Sequence, residues 1–61
     1  MIEYREVNDE KIIHRWINVY KDNQLIGEIN EHKSGWIFLS DDHHVMVDEL
    51  GQLKELIENE F

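Results

Sequence analysis

The chain has 61 residues and 14 acids against 6 lysines and arginines, for a net charge of -8, with no cysteine and no proline. A chain this short holds one domain and one small core, burying only about 60% of the surface its unfolded form exposes. Disulfides and Cys-based zinc sites are excluded, and the acidic excess argues against direct binding to nucleic acid or to an anionic membrane surface.

From the N-terminus, Met1 to Glu6 has neither the apolar run nor the small-residue cleavage site of a signal peptide. Together with the missing cysteines this fits a cytoplasmic protein. No stretch approaches the roughly 20 apolar residues of a membrane span. With 41% hydrophobic residues the chain can form a core rather than remain disordered. Residues 2–7 read as an edge strand, and Asn8-Asp9-Glu10-Lys11 as a turn.

Residues 12–20 are rich in β-branched and aromatic side chains, which suit a pleated surface. Alternation puts Ile13, Arg15, Ile17 and Val19 on one face and Ile12, His14, Trp16, Asn18 and Tyr20 on the other, so this strand is expected to be central. Asp22 and Asn23 tolerate positive φ and make a hairpin turn. Residues 24–30 form the return strand, where Gly27 marks a bulge or the close approach of an aromatic ring. Glu31 to Gly35 is a second turn, with Gly35 as its positive-φ residue, and residues 35–40 are a further strand.

After Asp41-Asp42-His43-His44, Val45-Met46-Val47 reads as a short extended piece. Residues 48–60 then take a helical period, with Leu50, Leu53 and Ile57 on one stripe, Phe61 continuing it and Met46 before it. Asp48 is the expected cap and Glu49 suits the first turn. An amphipathic helix must bury its stripe, and only a sheet face is available to cover it. The expected fold is therefore α+β: an antiparallel β-meander of three or four strands with one C-terminal helix across one face. Trp36 or Phe38 is expected under the helix, and Trp16 on the uncovered face.

Chemistry is sparse. The sequence has no phosphate-binding glycine loop and no dinucleotide fingerprint. Its serines, Ser34 and Ser40, lie beside turns and outside any nucleophile elbow. His43-His44 beside Asp41-Asp42 has the residue types of a metal site, yet neighbours on an extended chain point to opposite sides. A polar turn before the helix is the simpler reading. His14 reads as a half-buried sheet histidine and His32 as a solvated turn residue. No cofactor, metal or catalytic residue is expected, and the chain reads as a non-enzyme.

The distribution of charge is more informative. Residues 1–40 hold seven acids and five bases, a net of -2. Residues 41–61 hold seven acids and Lys54 alone, a net of -6. Such a surface steers a positively charged partner, or it is an ordinary solvated helix face. The expected partner-binding residues are Asp48, Glu49, Glu55 and Glu58 for the electrostatics, with Trp16 and Tyr20 as aromatic anchors on the other face.

From Trp16 to Ile57 the chain resembles short proteins encoded by bacteriophages and prophages. The features that carry the resemblance are Val19-Tyr20, Lys21-Asp22-Asn23, Leu25-Ile26-Gly27-Glu28-Ile29, Gly35-Trp36-Ile37-Phe38 and Asp48-Glu49-Leu50. The resemblance implies a three-stranded meander with a C-terminal helix, and an accessory protein that binds a host protein. The leading functional expectation is a small acidic factor that docks on a larger basic, nucleic-acid-binding host protein and modulates it. The alternatives are assembly through homodimerisation and metal binding at His43-His44.

Overall fold

The computed structural model describes residues 1–11 and 13–61. Five strands, β1 (Ile2–Glu6), β2 (Trp16–Lys21), β3 (Gln24–His32), β4 (Gly35–Leu39) and β5 (His44–Val47), precede one helix, α1 (Leu50–Glu60). All neighbouring strands are antiparallel and lie in chain order, so the sheet is a simple meander. The α+β class holds, but the sheet has five strands rather than three or four. The extra strand is β5, where the short extended piece Val45-Met46-Val47 and His44 pair with β4 and cover what would otherwise be that strand's open edge.

The hairpins follow from local chemistry. Asp22 and Asn23 have φ of 51° and 67° between the closing pair Lys21 and Gln24, as a two-residue loop of the primed type requires. The second turn is tighter than the sequence suggests, because β3 runs on to His32, which pairs with Gly35. Gly35 has φ of 150°, and a Cβ there would lie 2.1 Å from the Val47 carbonyl oxygen. At Gly27 the register slips between Val19 and Tyr20, and a Cβ would lie 2.7 Å from both the Phe38 ring and the Leu39 carbonyl oxygen. Gly27 thus serves a bulge and an aromatic contact at once, and the bulge lets Ile26 pack against the core.

Register puts Ile2, Tyr4, Ile17, Val19, Ile29, Trp36, Phe38, Val45 and Val47 on one face. The stripe of α1 lies on that face. Ile17, Val19, Ile29, Phe38, Leu53 and Ile57 are buried, with Trp36, Leu50 and Phe61 packed around them. Phe61 meets Phe38 edge to face at 5.9 Å. Neither tryptophan is fully buried, so aliphatic side chains carry most of the core.

Three expectations fail for tertiary reasons. β2 begins at Trp16, not at residue 12. Ile13 is 96% exposed and His14 and Arg15 lie outside the strand, while Ile12 falls outside the described residues. Strand propensity there is overridden because no packed surface reaches Ile13. Met46 does not join the helical stripe: on a strand it faces away from its neighbours Val45 and Val47 and stays 47% exposed. The helix starts at Leu50 with Glu49, not Asp48, as its cap, and Gln52 Oε1 accepts from the Glu49 N–H at 3.2 Å.

Gly51 is exposed in the first turn of α1, and a Cβ there would touch nothing within 4 Å. Gly51→Ala is therefore expected to raise the unfolding free energy by about 0.4–1 kcal/mol. Gly27→Ala should lower it by about 1–3 kcal/mol, because the Phe38 ring and a backbone oxygen occupy the space. Urea unfolding of the two variants checks both signs.

Candidate functional site

Four of the six lysines and arginines are engaged, none of them in an ion pair with the acids of the last third, while Lys11 and Lys33 are exposed with no ion pair among the described residues. Arg15 forms a two-bond pair with Glu6 (2.8 and 2.9 Å) and lies over the Trp36 ring. Arg5 pairs with Glu3 at 2.6 Å and covers the Tyr20 ring. Lys21 donates to the Phe61 carbonyl, placing a cation at the C-terminal end of α1. Lys54 lies over the Tyr4 ring at 4.8 Å. The N-terminal ammonium meets Asp22 at 3.0 Å. Hydrogen bonding by Arg5 and Arg15 holds the Glu3 and Glu6 carboxyls below the usual range.

Among the described residues, no lysine or arginine forms an ion pair with Asp41, Asp42, Asp48, Glu49, Glu55, Glu58 or Glu60. The cation nearest any of them is His43, whose Nε2 is 3.8 Å from Glu60 Oε2 and positive only when protonated.

The expected partner-binding residues are split among three places. Asp48 and Glu55 are brought together: with Met46, Gln52, Leu56 and Asn59 they line an open groove of about 470 Å³ between β5 and the outer side of α1. Glu49 is exposed at the helix cap beside it. Glu58 lies on the other flank of the helix, accepting from the Tyr4 hydroxyl at 3.0 Å. Trp16 and Tyr20 are half-buried on the sheet face opposite the helix, with Ile37, Leu39 and Met46 as further apolar residues of that face. Met46 and Leu56, 47% and 41% exposed, were missed as site residues. Their exposure depends on where β5 ends and α1 begins, which composition does not reveal.

The histidines are dispersed. His43 turns toward Ser40, Glu60 and Phe61, while His44 is exposed on β5. No group of three or more His, Asp or Glu among the described residues could hold a metal ion. Ser40, His43 and Glu60 line up in the order nucleophile, base and orienting acid, at 3.4 and 3.8 Å. However, the Ser40 hydroxyl already accepts the His43 backbone N–H at 3.1 Å, which makes the pair a local turn contact. His14 is exposed and reaches only Asn30 Oδ1 at 3.3 Å, so it is not the half-buried residue expected.

No family model, no curated protein and no solved structure matches the chain. Among the described residues, no helix is long and apolar enough to cross a membrane.

Partial burial and the bond to Glu58 raise the Tyr4 hydroxyl's pKa above its ordinary value of 10.0. A group with a raised folded-state pKa contributes stability below its unfolded pKa and loses it as pH rises through the folded one. Stability should therefore fall above about pH 10, and Tyr4→Phe should blunt that fall. Urea midpoints across alkaline pH, with absorbance titration of the phenols, test this.

Proposed function

We propose that this protein is a small acidic binding factor that docks, without catalysing a reaction, on the basic surface of a larger protein. One observation carries the reading: among the described residues the seven carboxylates of residues 41–61 have no lysine or arginine partner, while four of the six lysines and arginines are engaged elsewhere. Glu58 and Glu60 also occupy the last turn of α1, where the helix dipole favours cations. Local stability is thus spent on keeping the surface negative, and departures from local preference of this kind concentrate at functional sites. The resemblance over residues 16–57 adds a host protein as the partner class, and a surface this negative suits one that binds nucleic acid.

Asp48, Glu49 and Glu55 are the residues we assign to the contact. Glu58 is a poorer probe, because reversing it also breaks the bond from Tyr4. Affinity capture from the native host, run in parallel with wild type and Asp48→Lys/Glu55→Lys, tests the reading. A partner should be retained by wild type at low salt, released as salt rises, and bound at least tenfold less by the variant. Equal capture by both proteins, or capture indifferent to salt, would reject it.

Self-assembly draws on a different observation, the uncovered sheet face carrying Trp16, Tyr20 and Ile37. Mutual repulsion of two chains of charge -8 opposes it. Light scattering is expected to report a monomer at low salt; a dimer there would favour assembly instead.

A further inference from the structure

The free edge of β5 adds a directional element to the acidic groove. Ser40 N–H donates to the His43 carbonyl at 2.9 Å, which marks 40 and 43 as a hydrogen-bonded pair. Bonded and non-bonded pairs alternate along an antiparallel ladder. Val45 and Val47 therefore bond to Phe38 and Trp36, while the backbone N–H and C=O groups of His44 and Met46 point outward from the sheet. β5 is the last strand of the meander, so nothing in the described fold pairs with that edge. Along the same edge lie the exposed Met46 and Leu56 and the carboxylates of Asp48 and Glu55.

We infer that β5 accepts a basic extended segment of the partner protein as a sixth strand. The inference rests on the acidic docking reading above and names its mode. Backbone bonds to His44 and Met46 would hold the added strand, the usual source of affinity when a peptide joins a sheet edge. Residues opposite Val45 and Val47 would point to the helix side, where lysine or arginine meets Asp48 and Glu55. Alternate residues would lie beside the Met46 side chain on the other face. Charge chooses this occupant over a second copy of the chain, because pairing β5 with β5 brings two Asp48/Glu55 groups together.

The probe is a synthetic strand-forming peptide of alternating lysine and valine, compared with the same peptide N-methylated on alternate residues to block one strand edge. Binding to the intact protein is read by calorimetry, and the His44 and Met46 amides by hydrogen exchange. The unmodified peptide should bind at low salt and slow exchange at both amides, and N-methylation should weaken it about tenfold or more. Met46→Pro removes one outward donor without touching a ladder bond and should weaken binding similarly. Equal binding of both peptides, with no protection at His44 or Met46, would overturn the edge mode while leaving acidic docking intact. Failure of both peptides to bind at low salt would overturn acidic docking itself. If the edge prefers a second copy, scattering would show a dimer that Met46→Pro dissolves, and the basic-peptide assignment would fall.

Discussion

Everything distinctive about this molecule depends on the seating of Leu53 and Ile57 in the bed formed by Ile17, Val19, Ile29 and Phe38. This single contact turns a meander with two similar faces into a sheet with an inside and an outside. It also fixes the rotation of α1. Once Leu53 and Ile57 point inward, Glu55 and Asn59 must point out, and Gln52 and Leu56 must lie along the flank over β5. The charged surface is thus a consequence of the packed one, and neither can move without the other.

The small size of the core explains the supporting contacts. Arg15 caps the stack over Trp36 while holding Glu6, and Lys21 ties β2 to the end of α1. Lys54 and Tyr4 join the helix to the first strand. Each is individually modest, since exposed pairs are worth at most about 1 kcal/mol. Together they close the sides of a domain that has only six buried hydrophobic residues among those described. They also set the charge distribution, because every cation used as a strut is unavailable to screen the carboxylates of the last third.

The two ends of the sheet are managed differently. β1 is bordered by the Glu3–Arg5 pair and by Glu6, so charge guards its edge. β5 is only four residues long and presents His44 and Met46, neither a residue that discourages pairing. Its protection comes instead from the carboxylates of the adjoining groove, which repel an acidic chain and attract a basic one. An edge defended in this way is selective rather than closed, and the docking reading turns on that difference.

The alternation of Ile17 and Val19, the Asp22-Asn23 turn, the glycine beneath an aromatic ring and the Leu50-Leu53-Ile57 period were all legible in the chain, because each is a relation between residues a few positions apart. That Trp36 or Phe38 lies under the helix and Trp16 on the uncovered face was legible too; that Phe38 is the more deeply buried of the pair was not. Ile13 was misread because only tertiary contact decides whether a β-branched residue finds cover. Met46 was misread because strand and helix periods place it on opposite sides, and the sheet settled which applied. Glu58 turned from a free charge into the acceptor of the Tyr4 hydroxyl once residues 54 positions apart were brought together. By itself the sequence determined the sign of the surface and its concentration in the last third. Only the tertiary structure decided which carboxylates share a groove and that an unpaired strand edge runs beside them, because adjacency between β5 and α1 exists only after the helix has packed.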